Sequence, residues 1–354
     1  MKKEISVRRA IMMFTIVLLS ASGCKKDAIL SEGPQVDLKD EALMSHNSSI
    51  ASSVRVGTLA QNIPLGWIAA NLSTGNLYVT SGSVILKITQ SGTVSTLAGN
   101  PNESGFRNGT GSAARFSGLQ GITVDRYGNI FVCDSRNHVI RKVTPSGVVS
   151  TFAGTGTAGY VNGSRLSSKF NTPMQITSKY SSLYVFDEGN ARIRKIYDGK
   201  VKTIAGSGVR GVLDGRASQA QLGAVSGMVL DRENSLIFVE HNEGTIRRLK
   251  DGYVKTIVKA LNSDGLANFA LPQGLTISSL GHLFVADAES NKIKKIVRTS
   301  SGYRVSLVAG SVEGFQDGTG LTAQFYYPQG ITWYKNRLFV LEQNRAVRKI
   351  TLPD

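Results

Sequence analysis

The sequence predicts an all-β protein, a six-bladed β-propeller of four-stranded antiparallel blades. Three observations predict this fold. A short apolar segment recurs six times, at intervals of 47 to 56 residues. Each copy is followed by further short apolar runs, and no helical period appears between them. Glycine is also abundant, at 38 of 354 residues, as expected for a fold with many tight turns.

Each repeat contains four predicted strands in a constant order. The first begins at positions 66, 121, 175, 227, 274 and 330, where glycine stands in every copy except the third. The second strand has an apolar–aromatic–Val pattern, as in Ile130–Val132, and the third has basic residues between apolar ones, as in Ile140–Val143. The fourth resembles Val149–Ala153. Four short strands in a repeat of about 50 residues are typical of a propeller blade.

The position of the sixth outer strand predicts how the ring closes. The sixth copy ends with its third strand, because the chain stops four residues after Ile350. At the other end of the sequence, Val54–Ala60 has the pattern of the missing strand. The N-terminal strand should therefore complete the last blade, so that the ring has no unpaired edge there. This places the propeller at residues 54–354.

The first 53 residues predict export and attachment rather than folded structure. A basic start is followed by the apolar run Ala10–Leu19, which is too short to span a bilayer and is typical of a signal peptide. The small residues Ser20–Gly23 before Cys24 resemble the lipobox of bacterial lipoproteins. We therefore expect a signal peptide at 1–23, lipidation of Cys24, and a flexible tether at 24–53. An ordinary signal peptide with a chance cysteine is the alternative.

Residues 132–142, Val-Cys-Asp-Ser-Arg-Asn-His-Val-Ile-Arg-Lys, are similar to the NHL repeat. The linkers between repeats resemble the bacterial lipoprotein type, as in Ala309-Gly310, Gly314–Gly318 and Pro328–Gly330. The resemblance covers residues 54–352 and implies a six-bladed propeller. It is weakest in the first repeat, where Ser81–Ser83 replaces the Asp-x-x-Asn turn. We expect that turn to be structural in the other repeats, because Asp and Asn side chains bond their own turn backbone.

Propeller enzymes of the gluconolactonase type hold a divalent metal in the central channel with Glu, Asp and Asn side chains. At the channel-facing slots this chain has mainly amide, hydroxyl and apolar residues, and its inner-strand acids, Asp125 and Asp231, lie at strand ends. The four histidines are scattered and form no zinc-binding pattern. We therefore predict no catalytic residues, no metal and no cofactor. A metal-dependent hydrolase or lyase acting in the channel is the alternative function.

Two sets of residues are candidate ligand contacts. The first is a polar ring at one mouth of the channel, which would bind a neutral polar ligand or hold water: Gln120, Ser226, Gln273 and Gln329. The second consists of aromatic residues in linkers, which would stack on sugars or peptides or else fill gaps between blades: Tyr160, Phe315, Tyr326 and Tyr327.

The net charge of +16 falls to +13 without residues 1–23, since four Lys/Arg and one Glu are lost. Eleven of the remaining bases lie in third strands, where they should pack along the blades and pair with turn acids. We therefore predict no nucleic-acid partner. The expected function is that of a non-enzymatic, monomeric, lipid-anchored module of the outer membrane, periplasmic or surface-exposed. It would bind a glycan, a peptide or an envelope protein.

Overall fold

The computed structural model describes residues 52–259, 268–343 and 345–353. Six antiparallel sheets follow one another along this part of the chain, which confirms the six-bladed propeller. The predicted signal peptide, Cys24 and the tether lie outside the described residues, apart from the last residues of the tether. Within the described residues, no helix is long and apolar enough to cross a membrane.

The strands are numbered in chain order and fall into six blades. The first blade contains β2 (Ile68–Ala70), β3 (Leu77–Ser81), β4 (Val84–Ile88) and β5 (Val94–Gly99). The second contains β6 (Gly109–Thr110), β7 (Leu119–Val124), β8 (Ile130–Asp134), β9 (Val139–Val143) and β10 (Val148–Ala153). The third contains β11 (Gly163–Ser164), β12 (Pro173–Lys179), β13 (Ser182–Asp187), β14 (Arg192–Tyr197) and β15 (Lys200–Ala205).

The remaining blades follow the same order. The fourth contains β16 (Gly215–Arg216), β17 (Val225–Leu230), β18 (Leu236–Glu240), β19 (Thr245–Lys250) and β20 (Tyr253–Val258). The fifth contains β21 (Pro272–Ile277), β22 (Leu283–Asp287), β23 (Lys292–Thr299) and β24 (Gly302–Ala309). The sixth contains β25 (Gly318–Thr319), β26 (Pro328–Tyr334), β27 (Arg337–Glu342), β28 (Ala346–Thr351) and β1 (Arg55–Gln61). Three 3₁₀ turns lie at Gly111–Ala113, Ser135–Asn137 and Glu188–Asn190.

The N-terminal strand closes the ring, as predicted. Strand β1 pairs antiparallel with β28 from Arg55 opposite Thr351 to Gln61 opposite Ala346. It therefore forms the outer part of the sixth blade although it comes first in the sequence. This arrangement joins the two ends of the repeat array by backbone hydrogen bonds and leaves no gap between the first and last blades.

Among the described residues, which leave out 260–267 in the linker of the fifth blade, four blades have a fifth strand that was not predicted from the sequence. Each is two residues long, lies in the linker directly after an Asn or Asp, and pairs with the outer strand of its blade, as β6 pairs with β10. The Asn/Asp-Gly pairs were predicted only as turns. A two-residue strand is too short to show an alternating pattern, so only its partner strand reveals it.

Glycine at the start of the inner strands allows neighbouring blades to approach closely near the axis. A Cβ on Gly121 would lie 2.8 Å from the Met174 carbonyl oxygen, and one on Gly274 would lie 2.3 Å from that of Gln329. The space between blades is filled farther out by apolar side chains. Phe116, which is fully buried, packs there.

The ring has two ends, which we name by their segments. The linker end contains the linkers and the turns between second and third strands, such as Ser135–Asn137. The hairpin end contains the turns between first and second strands, such as 125–129. The central channel runs between the two ends.

A candidate binding pocket at the linker end

Buried ion pairs organise the linker end in five of the six blades. In the second blade, Arg141 Nη1 lies 2.7 Å from Asp134 Oδ2, and both side chains are fully buried. Arg141 comes from the third strand and Asp134 from the Asp-x-x-Asn turn, so the two repeated motifs meet. The other four pairs are Arg194–Asp187 (2.7 Å), Arg247–Glu240 (2.9 Å), Lys294–Asp287 (2.7 Å) and Arg348–Glu342 (2.8 Å).

Each buried arginine also holds the linker that precedes its blade. Arg141 Nη2 donates to the Arg107 carbonyl oxygen at 3.0 Å and to Asn108 Oδ1 at 2.8 Å. Its guanidinium lies between the rings of Phe106 and Phe116, with each centroid 5.1 Å away. Four third-strand arginines are therefore engaged in internal contacts, which confirms the prediction for one base in each of these strands: Arg141, Arg194, Arg247 and Arg348.

The Asp-x-x-Asn turn is structural, as predicted. Asn137 Nδ2 donates to Asp134 Oδ1 at 2.9 Å, and the Ser117 backbone N–H donates to the same oxygen at 2.8 Å. Burial raises the pKa of Asp134, while these two hydrogen bonds and Arg141 act in the opposite direction. Burial lowers the pKa of Arg141, against the effect of Asp134. Burial thus disfavours both charged groups, and each charge is stabilised by the other in this poorly solvated site.

The sixth blade has a second carboxylate at its buried arginine. Arg348 lies 2.8 Å from Glu342 Oε1 and 2.7 Å from Asp317 Oδ1. Burial raises the pKa of Glu342 to about 7, a change that Arg348 opposes and the negative charge of Asp317 reinforces. Because Asp317 also supplies negative charge to Arg348, Glu342 can take up a proton without leaving the guanidinium unpaired.

The first blade lacks this arrangement. Leu86 occupies the third-strand position at which the other blades have arginine or lysine, and the tight turn of Ser81–Ser83 replaces the Asp-x-x-Asn segment. Only residues 62–67 connect β1 with β2, whereas residues 100–118 connect β5 with β7. The first blade therefore has neither the long linker nor the ion pair that cover this end of the other blades.

A pocket of about 400 Å³ lies at this position, between the first two blades. Its volume is at the small end of the range for ligand pockets, about 300–1,000 Å³. Its polar lining consists of Ser83, Ser104, Ser117, Gln120, Arg136 and Gln329, and Trp67 supplies an aromatic surface. The degenerate first repeat thus leaves a concave polar site where a regular repeat would place a linker.

Two contacts fix the polar groups of the pocket. Trp67 Nε1 donates to Gln120 Oε1 at 3.2 Å, which directs the Gln120 amide nitrogen away from that bond. Arg136 extends across Gly118, where a Cβ would lie 2.9 Å from Arg136 Cγ. Gly118 also has a φ of +64°, so glycine is doubly suited to this position. Arg136 is exposed, and its guanidinium has no partner among the described residues.

The structure brings together two of the four predicted mouth residues. Gln120 and Gln329 both line the pocket. Ser226 is instead buried, and its Oγ donates to the Gln273 carbonyl oxygen at 2.8 Å. Burial raises the pKa of the Tyr327 phenol, and Gln273 is close enough to lower that pKa in opposition. The ring is thus divided between an open pocket and internal contacts, and ligand binding by these residues stays a prediction.

The linker aromatics contact buried bases with one face. Tyr160 lies over Arg192 at 4.2 Å and over Arg194 at 4.9 Å, and Phe315 lies over Arg348 at 4.8 Å. Both rings remain nearly half exposed. They stabilise the linkers through cation–π contacts. Stacking of these rings on a ligand stays a prediction, and it would involve the exposed part of each ring.

Tyr326 and Tyr327 do not line the pocket that lies between the first two blades. They line a smaller cavity of about 160 Å³ near Glu289 and Glu313. This cavity carries acidic side chains, whereas the larger pocket has none in its lining. The eight predicted ligand contacts therefore belong to several places at the linker end and do not form one site.

The narrow part of the channel is mainly apolar, with Gln175 and Ser226 as its polar lining residues. Each blade contributes one apolar residue there: Ile68, Ile122, Ile176, Met228, Leu275 and Ile331. Toward the hairpin end the channel widens into a cavity of about 570 Å³ lined by hydroxyl and apolar side chains and by Lys335. Such walls lack the carboxylate oxygens that a hard cation prefers. Among the described residues, no group of three or more His, Cys, Asp or Glu side chains is placed to hold a metal ion.

Arg136, Trp67 and the pocket serines were not predicted from the sequence as site residues. Arg136 lies inside the motif used to identify the repeat, where it was interpreted as part of a turn. A signal was nevertheless present, because no other repeat has an arginine at that position, and the third repeat has Gly189 there. The pocket itself results from a missing linker, which only the packing of the two blades reveals.

The profile of the NHL repeat matches residues 269–296. Together with the six-bladed fold and with relatives that contain the repeat, this match confirms the prediction of an NHL-repeat propeller. The matched segment begins at Phe269 and ends at Ile296, so it includes the buried pair of Lys294 and Asp287.

Two curated relatives match this chain over part of their own, longer sequences. Protein SUPPRESSOR OF QUENCHING 1, chloroplastic, from Arabidopsis thaliana is 28% identical over 278 residues, covering 70% of this chain and 26% of that protein. NHL repeat-containing protein 2 from Bos taurus is 27% identical over 276 residues, covering 66% of this chain and 38% of that protein. The chain thus spans well under half the length of either relative.

Solved structures share the fold at low sequence identity. An auxiliary nutrient binding protein from Bacteroides thetaiotaomicron has a TM-score of 0.60 at 14% identity, covering 85% of this chain and 77% of that one. A gluconolactonase from Xanthomonas campestris has 0.59 at 14%, covering 87% and 93%. Virginiamycin B lyase from Staphylococcus aureus has 0.53 at 15%, covering 85% and 100%. At these identities the likeness establishes the fold alone.

Proposed function

We propose that this NHL-repeat propeller is a non-enzymatic binding or scaffold module of the bacterial cell envelope. It is anchored to the outer membrane through lipid on Cys24 and binds a glycan, a peptide or an envelope protein at its linker end. The observation that carries the proposal is the pocket beside the first blade. It is concave, polar and built where the repeat pattern is broken.

The rigidity of the linker end supports a binding role. Five buried ion pairs hold the linkers and turns around the ring. A surface that is already ordered loses little conformational entropy when a ligand binds, so more of the contact energy contributes to affinity. The pocket lies in this ordered region and shares the Asp134 turn with one of the pairs.

The path of the chain supports a membrane tether. Strand β1 begins at Arg55, which pairs with Thr351, and Thr351 in turn pairs with Arg337 at the hairpin end. A tether ending at residue 53 would therefore join the propeller at the hairpin end. An anchored propeller would then be attached at one end and would have its pocket at the other.

The channel supports binding over metal-dependent catalysis. Its narrow part is mainly apolar, and no carboxylate lines it or the wider cavity among the described residues, whereas a hard cation prefers carboxylate oxygens. The solved relatives include a nutrient binding protein as well as a hydrolase and a lyase, so the fold alone does not choose between these classes. The choice rests on the pocket and the channel walls of this chain.

Binding can be tested with the full chain purified in mild detergent. The protein would be applied to a glycan array and to a peptide library, beside a double variant, Gln120→Ala with Gln329→Ala, that removes both pocket amides. Gln219→Ala is a matched control, because Gln219 is exposed outside the pocket. Saturable binding that the double variant loses and the control keeps is expected. Absence of saturable binding, or equal binding by all three proteins, would refute the proposal.

Lipid attachment needs a separate measurement. Cells expressing the wild-type chain or Cys24→Ala would be supplied with radiolabelled palmitate. We expect label in the wild type alone, with release of the variant from the membrane fraction. Equal labelling of both proteins, or of neither, would contradict the anchor and would leave the pocket experiment unaffected.

A further inference from the structure

The pocket beside the first blade is rich in hydrogen-bond donors and has no acid in its lining. Its donors are the guanidinium of Arg136, the amides of Gln120 and Gln329, and the hydroxyls of Ser104 and Ser117. Its only ionic group is therefore a cation. By contrast, the smaller cavity at Tyr326 and Tyr327 carries Glu289 and Glu313. The two cavities of the linker end differ in the sign of their charge.

Arg136 differs from the buried arginines of the fold. Arg141, only five residues away, has its guanidinium bonded to Asp134, to Asn108 and to backbone carbonyls. Arg136 makes no such contact with the described residues. The chain thus places an unpaired guanidinium at the pocket while neutralising the one beside it. Planar guanidinium groups bind carboxylates through two parallel hydrogen bonds.

The turn that carries Arg136 is held firmly. The Arg136 backbone N–H donates to the Ser117 carbonyl oxygen at 3.2 Å, and Asn137 Nδ2 donates to the Gly105 carbonyl oxygen at 2.8 Å. Gly118 lies beneath the side-chain stem of Arg136 and has no room for a Cβ. The backbone from which the guanidinium extends is therefore ordered before any ligand arrives.

The rest of the lining suits a hydroxyl-rich ligand. Trp67 Nε1 donates to the oxygen of the Gln120 amide. The nitrogen of that amide has no partner among the described residues and can donate to a ligand. Ser83 donates to the Asn100 carbonyl oxygen at 2.8 Å and keeps its oxygen lone pairs available as acceptors. Trp67 offers an aromatic face of the kind on which sugar rings stack. These groups match hydroxyls better than they match a peptide side chain.

We propose that this pocket binds a carboxylate-bearing sugar, such as a uronic acid residue of a glycan, with Arg136 contacting the carboxylate. The inference rests on the proposed binding function and narrows its ligand class. The amides and serine hydroxyls contact the sugar hydroxyls, and Trp67 contacts the sugar ring. The same pocket binds the corresponding neutral sugar more weakly, because a sugar without the carboxylate forms no ion pair with Arg136.

The experiment uses the full chain in mild detergent and two probes that differ in one group. Glucuronate and glucose would each be titrated into the protein by isothermal calorimetry at low and at physiological salt. We expect saturable binding of glucuronate at least tenfold tighter than that of glucose. Raising the salt should weaken glucuronate binding, because an exposed ion pair is screened.

Three variants locate the effect. Arg136→Gln should weaken glucuronate binding about 10- to 100-fold and leave glucose binding unchanged, as expected for loss of a charge-assisted hydrogen bond. Arg136→Lys should lie between it and the wild type, since it keeps the charge and loses the fork. Arg126→Gln is the control, because Arg126 is an exposed arginine at the hairpin end. Unchanged thermal unfolding of all three would exclude a folding defect.

The outcomes separate this inference from the broader function. Equal binding of both sugars would overturn the carboxylate inference and would leave the binding function standing. Failure of both sugars to bind would overturn the sugar assignment, while the glycan and peptide screens would still decide the broader function. Binding of a peptide through its terminal carboxylate in place of glucuronate, lost in Arg136→Gln, would overturn the sugar class and identify a peptide site.

Discussion

The buried pair of Arg141 and Asp134 provides the most demanding test of how this propeller is held together. Replacing Asp134 with serine removes a carboxylate whose Oδ2 lies 2.7 Å from Arg141 Nη1. Its Oδ1 lies 2.9 Å from Asn137 Nδ2 and 2.8 Å from the Ser117 backbone nitrogen. The guanidinium stays fully buried and loses its counter-charge. Leaving such a charge unpaired costs about 3–5 kcal/mol. That is a large part of the roughly 5–15 kcal/mol by which folded domains are stable.

The first blade suggests a double variant that tests whether the unpaired charge causes the loss of stability. Its residues Ser81 and Leu86 occupy the positions of Asp134 and Arg141. A double variant, Asp134→Ser with Arg141→Leu, therefore copies a solution that the chain already uses. Removing both charges eliminates the unpaired guanidinium, and buried pairs are often replaceable by apolar groups at little cost. We expect the double variant to be about 2 kcal/mol more stable than Asp134→Ser alone.

Urea unfolding followed by circular dichroism would measure both differences in the free energy of unfolding. The exposed carboxylate of Glu233 pairs with Lys250 and Arg298, so Glu233→Ser is a control that should change stability little. A cost below about 1 kcal/mol for Asp134→Ser would refute the importance of the pair. A double variant no more stable than the single one would refute the idea that the unpaired charge causes the loss.

Three further predictions concern other parts of the ring. Because burial raises the pKa of Glu342 to about 7, its contribution to stability is complete below pH 4.5 and is lost as the pH rises through 7. Relative to Glu342→Gln, the wild type should lose on the order of 3 kcal/mol over that range in urea unfolding; a constant difference would contradict this. The Cys133 thiol is buried, and its pKa is raised well above the usual value. In Cys24→Ala it should therefore react with Ellman's reagent only after unfolding, and fast native labelling would show that the site is open. Gly274→Ala should cost about 1–3 kcal/mol of unfolding free energy, because its Cβ would lie 2.3 Å from a backbone oxygen of the next blade. Gly57→Ala is its control, since nothing lies within 4 Å of that Cβ, and equal stabilities for the two variants would contradict the steric argument.

The regular parts of the fold were predictable because they repeat. Strand patterns, the number of blades and closure by Val54–Ala60 all depend on residues that recur at equivalent positions. The structural role of the Asp-x-x-Asn turn was predictable from the local bonding of Asp and Asn. The partner of that turn was only partly predictable, because the sequence showed bases in the third strands without showing that Arg141 reaches Asp134 in a fully buried site.

The candidate site was less predictable because it depends on what one repeat lacks. Gln120 and Gln329 were chosen from the sequence and do line the pocket, whereas Ser226 is buried against the Gln273 carbonyl oxygen and Gln273 is not in the pocket lining. Tyr160 looked like an exposed contact, and it lies over Arg192 and Arg194. These residues occupy similar places in the repeat. Their different surroundings come from neighbouring blades, which a repeat pattern treats as equivalent.

Sequence alone therefore determined the all-β class, the six repeats and the strand that closes the ring, because alternation of apolar residues and turn chemistry are local properties. Tertiary structure decided which arginine is neutralised and which has no partner among the described residues. Arg141 and Arg136 lie five residues apart, yet one is enclosed by a linker and an acid while the other borders a pocket. The difference arises because residues 62–67 form a short connection where the other blades have a long one, so a space remains beside Arg136. The size of that space is set by the packing of two blades, which no single segment encodes.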